Sequence, residues 1–484
     1  MKIFRDSRMR VLDEDLVEKI HRRSLDILSE IGVKVKSDLA KNILTDHGCL
    51  LENGKILFPP ALVDKTCKSC GQKISIYSRT GKVVNAENED ILIHNAGTTR
   101  TIFDSVTQKK REATLSDAKK LAKILDSLDN IDALSPIVYP QDVPQEVSML
   151  YALKEFIVNS EKPVFAPGAD SLLKMKYIHK LYTTAAGGEA NLRNRPMYTV
   201  GYSPKSPLTL IEKDTEAIIW AAKREIPIKI LPSPIAGLTA PLPLMGVLTQ
   251  QNAEILATIV LLKLVNEKVK VVYGARSSCA NLYQASLAGG PERGVLGACA
   301  VQIANYYGMT SDVYGAGTSS FISDIQAGTE KTMNILLPAL MGADWISGPG
   351  ILGHGDTISY EQLLIDDEIF DFLLYTFKRM KRDKEELWYD AIADVMEGKD
   401  EFISHENTVK NLRSEEMWER KDRLFNMNDY NSWEKMSEKD IIVKAQKKAD
   451  EIIKNHELTN PLPEKVVGDM EKIIKKAKKD LTGD

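Results

Sequence analysis

From Asp90 onward one pattern recurs along the chain: a short apolar run, a polar or glycine-rich loop, then a stretch long enough for a helix. The apolar runs are Ile91–Asn95, Asp132–Tyr139, Pro163–Pro167, Met197–Gly201, Ile228–Pro232, Val269–Tyr273, Thr310–Tyr314 and Asp344–Ser347. Between them lie Leu115–Leu128, Gln145–Val158, Leu172–Ala185, Leu210–Arg224, Thr249–Leu264, Arg293–Tyr307 and Gln326–Met341, and Tyr360–Met380 follows the last. Short apolar runs alternating with helical stretches predict parallel strands buried on both faces by helices. Eight such units, at the length such folds need, predict an α/β protein built as a (β/α)8 TIM barrel. A doubly wound open sheet is the alternative, but no G-x-G-x-x-G follows the first strand. Gly315-Ala316-Gly317 comes late, and its continuation Thr318-Ser319-Ser320-Phe321 breaks that fingerprint.

The flanks read differently. An amphipathic helix is expected near Asp13 to Glu30, with Leu16, Ile20, Ile27, Leu28 and Ile31 close to one stripe and Gly32 as its C-cap. With Lys55–Pro59 and Ile74–Ser78 this suggests an N-terminal α+β cap over residues 1–88, ahead of a barrel over 89–382. Residues 383–484 are charged and read as a C-terminal helical extension, with helices at Glu438–His456 and Glu464–Lys479. A content of 43% hydrophobic and 27% charged residues suits a globular chain with a sizeable core. The net charge of −4, with no basic stripe outside the C-terminal helices, argues against a nucleic-acid partner. The N-terminus lacks an apolar signal core, and the best apolar run, Ile255–Val265, falls short of the ~18 residues of a membrane span. A cytoplasmic protein without a membrane partner is therefore expected. Cys67 and Cys70 form a C-x-x-C with no second pair at zinc spacing, so reduced thiols are expected.

A barrel assembles its site from strand C-termini and the loops after them. Those positions supply His94 and Arg100, then Tyr139, Tyr202, Arg276, Tyr314, Phe321, Asp324, His354 and Asp356. This rim is rich in tyrosine, serine, glycine and amides and lacks a cluster of ionisable groups. Only His94 and His354 of the seven histidines fall at strand ends, so no metal is expected. Lys229 sits inside a strand and reads as a paired or snorkelling residue; the alternative is a Schiff-base lysine of an unrelated barrel lyase or aldolase, for which an essential Lys229 is the discriminating feature. Tyr139, Tyr202, Tyr314 and Phe321 are candidates for an aromatic cage around a quaternary ammonium. The alternative is that each is a core or rim aromatic. A carboxylate on the same ligand would seek Arg100, Arg276 or His354. Arg276 comes first, because it follows Gly274-Ala275 at the exit of an apolar strand.

Several phrases resemble the trimethylamine:corrinoid methyltransferase superfamily. They are Asp324-Ile325-Gln326-Ala327-Gly328-Thr329-Glu330-Lys331, then Glu361-Gln362-Leu363-Leu364-Ile365-Asp366 with Glu368, and more loosely Ile20–Val33 and Phe402–Lys410. In the trimethylamine-specific members a pyrrolysine sits inside the first phrase, and the aligned place here holds Ala327. The resemblance implies methyl transfer from an amine to the Co(I) corrinoid (cobalamin) of a separate carrier protein, in the setting of methanogenesis or acetogenesis. Lacking the unusual residue, the chain is expected to take a quaternary amine, glycine betaine first, with proline betaine, carnitine and γ-butyrobetaine as rivals. A betaine-binding barrel without transfer activity stays open. The resemblance also marks Asp324, Gln326, Ala327 and Glu330 as lining the site and a homo-oligomer as common for such barrels. No D-x-H-x-x-G is present, so the corrinoid is expected on the partner.

Overall fold

The computed structural model describes every residue except 1–9, 72, 86–90, 96, 106, 169, 285, 289, 378–387, 413–417, 419–422 and 484. The predicted boundaries at 88/89 and 382/383, and the predicted helix end at Met380, lie outside the described residues.

The chain folds as mixed α/β around a curled parallel sheet. Its six strands are β1 (Leu92–His94), β2 (Val200–Tyr202), β3 (Ile228–Ile230), β4 (Val271–Ala275), β5 (Thr310–Tyr314) and β6 (Trp345–Ser347). They lie side by side in the order β1-β6-β5-β4-β3-β2, and every adjacent pair is parallel. The register sets Asp312 beside Gly274 on one side and Trp345 on the other, and Ser347 beside His94.

Two of the predicted strands, Asp132–Tyr139 and Pro163–Pro167, form no ladder. They make single parallel bridges instead: His94 to Ala133, Leu134 to Val164, and Ala166 to Val200. The reason is covalent. Pro136, Pro140, Pro163 and Pro167 have no N–H to donate, so neither segment can sustain consecutive rungs. The bonds that remain include Leu134 N–H to Pro163 O at 2.8 Å, Phe165 N–H to Leu134 O at 2.6 Å and Ala166 N–H to Thr199 O at 3.0 Å.

Helices cover the outer face. Helix α1 (Glu14–Asp26) is capped by the Asp13 carboxylate, which accepts from Leu16 N–H at 2.7 Å. It runs on as a wider turn over Ile27–Ile31 and stops at Gly32, whose φ is 75°. A Cβ there would stand 2.7 Å from the Ile56 carbonyl oxygen, so the predicted C-cap also admits the neighbouring strand. Helix α2 (Leu244–Val265) is longer and more apolar than the sequence reading allowed. Its best 18-residue window has a mean hydropathy of 1.2, but 78% of that window is buried against the rest of the chain. A helix apolar all round and enclosed is a core helix. Helices α3 (Glu292–Tyr306) and α4 (Ile325–Leu340) pack closely because Gly294 and Gly297 present no side chain. A Cβ on either would come within 3.0 Å of Asn334 or Pro338.

Helix α5 (Tyr360–Phe377) packs against Ile441–Asn455, and Glu464–Thr482 lies along Leu172–Ala185. Lys123 donates to the carbonyls of Ile453 and His456 at 3.2 and 3.3 Å, a cation at the carboxyl end of a helix where the dipole favours it. Inside the curl of the sheet, Leu92, Ala133, Phe165, Val272 and Trp345 form a small apolar plug, with Phe165 and Trp345 stacked at 5.3 Å.

Candidate functional site

Next to that plug the interior turns ionic, which corrects the expectation of a rim without clustered charges. Asp312, halfway along β5, is fully buried, and three basic groups converge on it. Arg276 Nη2 donates to Oδ1 at 2.8 Å, Lys229 Nζ stands 3.3 Å from Oδ2, and His94 Nε2 lies 3.3 Å from Oδ1. Burial alone would raise the carboxyl pKa, but Arg276, Lys229 and His94 together hold it well below the usual range. The same burial, with Arg276 adding and Asp312 opposing, pulls Lys229 down to about 8. Lys229 also lies 4.5 Å from the centre of the Phe165 ring. Its reading as a paired residue therefore matches its surroundings. His94 is pushed down to about 4 by burial and by Lys229, so at neutral pH its ring is uncharged, with Nδ1 2.8 Å from the Asn95 carbonyl and Nε2 facing Asp312, and its one N–H serves one of these two acceptors. Asp312 was legible as an aspartate in the middle of a predicted buried strand, the kind of residue that stays buried only when paired.

The predicted cage does not assemble. Strand residues alternate in direction, and with Gly201 facing inward Tyr202 faces the helix layer, where its hydroxyl meets Thr215 Oγ1 at 3.1 Å. Tyr202 is thus a core residue, not a rim aromatic. Tyr314 reaches the upper interior but is gripped by backbone: a Cβ at Gly317 or Gly348 would lie 2.6 or 2.8 Å from its ring. Phe321 is half exposed, leans on Gly353, and has Lys110 Nζ at 5.6 Å from its centre. Tyr139 is half-buried; burial and nearby Asp170 raise its hydroxyl pKa, with Arg100 opposing. None of the ring–ring contacts among the described residues joins two of these four. Arg276 is also not free to receive a ligand carboxylate. Its Nη1 donates to the carbonyls of Ala275 and Asp312, both at 2.9 Å, and its Nη2 is held by the Asp312 side chain.

The residues of the family-like phrase organise the loops beyond β5 and β6. Asp324 caps α4 by accepting from Ala327 N–H at 2.8 Å. Glu330 Oε2 accepts from Thr318 Oγ1 at 2.7 Å and Ser319 N–H at 2.6 Å, while Oε1 accepts from Gln326 Nε2 at 2.9 Å. Ala327 is buried with Phe103 and Leu352 in a separate apolar cluster. The two loops are sewn together where Gly353 N–H donates to Ser320 O and His354 N–H to Thr318 O, at 2.7 and 2.8 Å. Beneath them a fully buried pair, Lys331 and Asp366 at 2.8 Å, also holds the Ala316 carbonyl and the Gly350 N–H. Asp366 therefore has a structural partner. His354 sits at a φ of 61°, and its Nδ1 is buried with no hydrogen-bond partner.

One residue escaped the sequence reading. Arg293, in the first turn of α3, lies over the Tyr314 ring at 5.0 Å, and its Nε is sealed from solvent without a partner. A signal was available, since a cation in a helix's first turn opposes the dipole and needs another reason to be there. Cys67 and Cys70 are buried thiols whose pKa values burial raises. Among the described residues no group of three or more histidine, cysteine, aspartate or glutamate side chains is arranged to hold a metal.

Comparison with known proteins bears on this arrangement. A family model described as trimethylamine methyltransferase (MTTB) matches residues 2–482. The trimethylamine methyltransferase MttB of Desulfitobacterium hafniense is 30% identical over 471 residues, 96% of this chain and 92% of that protein. The protein of the same name from Methanosarcina barkeri is 28% identical over 479 residues, 97% of this chain and 95% of its own. A glycine betaine methyltransferase from another Desulfitobacterium hafniense strain is 28% identical over 408 residues, covering 84% of this chain and 85% of that one. Among solved structures, the monomethylamine methyltransferase MtmB of Methanosarcina barkeri matches in fold, with a TM-score of 0.50 at 11% identity over 91% of this chain and 88% of that one.

Proposed function

The chain belongs to the trimethylamine methyltransferase family, and from that membership we propose that it passes a methyl group from a quaternary amine to the corrinoid of a separate carrier protein. Glycine betaine, leaving as dimethylglycine, is the first substrate. The observation that carries the quaternary reading is Ala327: a small residue packed against Phe103 and Leu352 stands where the trimethylamine-specific relatives are understood to place a long reactive side chain.

The acid–base inventory agrees. When a methyl carbon leaves a quaternary nitrogen, the bonding pair stays on a neutral tertiary amine, and no proton has to be supplied. Accordingly Asp312, Glu330 and Asp366 are each held by several donors, and none stands ready as a general acid. The corrinoid, when its carrier presents it, supplies the nucleophile, and the chain's own task is to hold the amine in line with it. Leu238, Leu242, Leu282 and Ile322, on loops beyond strand ends, and Ile325, which opens α4, are exposed apolar residues of the kind a docked partner covers.

We also read the curled sheet, closed through the bridged segments near 133 and 165, as one (β/α)8 barrel with a cap over 1–88 and a helical extension over 383–484. The purified chain incubated with a reduced corrinoid carrier should change the carrier's absorbance on addition of glycine betaine and not of trimethylamine. Proline betaine and carnitine serve as the rival substrates. No change with any amine overturns methyl transfer; a response to trimethylamine overturns the reading of Ala327.

A further inference from the structure

Arg293 is 8% exposed, and its guanidinium makes neither a hydrogen bond nor an ion pair with any described residue. A buried cation without an anion is unfavourable on its own, and the start of α3 adds to the cost. The Tyr314 face at 5.0 Å offsets part of this but satisfies none of the five N–H donors. The carboxylates nearby are spoken for. Glu330 has both oxygens engaged by Thr318, Ser319 and Gln326, and Asp312 is already paired with Arg276 at 2.8 Å and Lys229 at 3.3 Å.

His354 has the matching deficit, since its Nδ1 is buried and unpartnered. The two groups share one neighbourhood: a Cβ on Gly317 would stand 2.9 Å from Arg293 Nη1, and the His354 N–H holds the carbonyl of the next residue, Thr318; burial first, and then Arg293, lower the His354 pKa, with Glu330 opposing. His354 cannot easily turn away: its backbone N–H is fixed to the Thr318 carbonyl at 2.8 Å, and its φ of 61° is set by the turn. A guanidinium from the first turn of α3 and an imidazole from the loop beyond β6 thus each carry a buried nitrogen without a partner, Nε and Nδ1.

We propose that Arg293, with His354 as second donor, is the seat for the substrate's carboxylate, which makes this chain selective for zwitterionic quaternary amines over amines lacking an acid group. This rests on the methyltransferase reading above. The planar fork of arginine matches a carboxylate in two parallel bonds. Tetramethylammonium or trimethylamine would leave Arg293 unpaired and place a second positive charge beside it, and sites built around a polar group discriminate strongly against ligands that lack it.

Binding to the full chain should be measured by calorimetry with glycine betaine, its methyl ester and tetramethylammonium. Wild type should bind the betaine at least 100-fold more tightly than the ester. Arg293→Gln should lose that preference while its weak affinity for tetramethylammonium stays the same or improves, and Arg293→Lys should restore part of it. His354→Ala should weaken the betaine about 10-fold without touching tetramethylammonium. Equal affinity of wild type for betaine and ester overturns the proposal even if the variants fail to fold, as does a parallel loss of betaine and tetramethylammonium in Arg293→Gln. The carrier assay separates the two readings. Betaine binding that depends on Arg293 with no methyl transfer would sink the transferase while leaving the carboxylate seat in place. Methyl transfer from trimethylamine with no betaine binding would do the reverse.

Discussion

Around Asp312 and around Arg293 the chain buries charge in two opposite ways. The first group is closed upon itself: Arg276, Lys229 and His94 all point at one carboxylate, so each charge already faces its opposite. The second is open, a guanidinium and an imidazole whose donors meet aromatic carbon and backbone but no acceptor. A closed cluster fixes β1, β3, β4 and β5 to one point, so it serves geometry. An open one is a standing deficit that a ligand can cancel, so it serves recognition. Residues that look alike in composition can therefore be sorted by whether their partners are already present.

Removing charge should have opposite effects in the two places. Asp312→Asn leaves Lys229 and Arg276 buried without their anion and should cost about 3–5 kcal/mol in urea unfolding. If it costs under about 1 kcal/mol, the cluster is not the closed unit described. The pH dependence of wild type is the next largest effect. The folded pKa of His94, about 4, lies below its ordinary 6.5. Between those values the unfolded chain holds the extra proton, so stability falls as pH drops through that window, by roughly 3 kcal/mol in all. His94→Gln should flatten this slope; an unchanged slope would assign it elsewhere. Arg293→Met should go the other way from Asp312→Asn and leave stability equal or raise it by about 1 kcal/mol, since an unpaired buried charge gives way to an apolar chain. A loss of several kcal/mol there would mean that Arg293 is structural. Smallest is Asp324→Ala, which removes a helix cap for about 1 kcal/mol and should leave amine affinity unchanged. A loss of affinity would return Asp324 to the site.

The alternation of apolar runs and helices was legible because strands buried on both faces leave continuous hydrophobic stretches. The weakness of 132–139 and 163–167 was written in their prolines, which the strand assignment passed over. The site was harder. Whether Tyr202 or Gly201 faces inward is a matter of strand parity, which a three-residue strand between short loops does not reveal. From sequence Arg276 is the stronger carboxylate hook, and Arg293, within a helix, offers no comparable signal. What reverses that order is Asp312, brought beside Arg276 only when β5 pairs with β4. The family-like phrase around Ala327 was readable as a motif, but not its physical work, which is to cap α4 and tether the loop before it.

Helix α2 has a consequence for the birth of the protein. A ribosome extruding Leu244–Val265 releases a segment whose length and apolarity mimic a stop-transfer signal. Two things counter that mistake. Gln250, Gln251, Asn252 and Glu254 dilute its apolar surface on one stretch, and each finds a specific acceptor or donor in the finished fold: Thr239, Ser277, Tyr273 and Ser206. Of the helices that sheathe it, Glu14–Asp26, Asp38–Asp46, Pro60–Lys68 and Glu212–Ala222 precede it in the chain, and Glu292–Tyr306 follows. Most of the cover is thus translated before the element it must hide, and only Glu292–Tyr306 arrives after it.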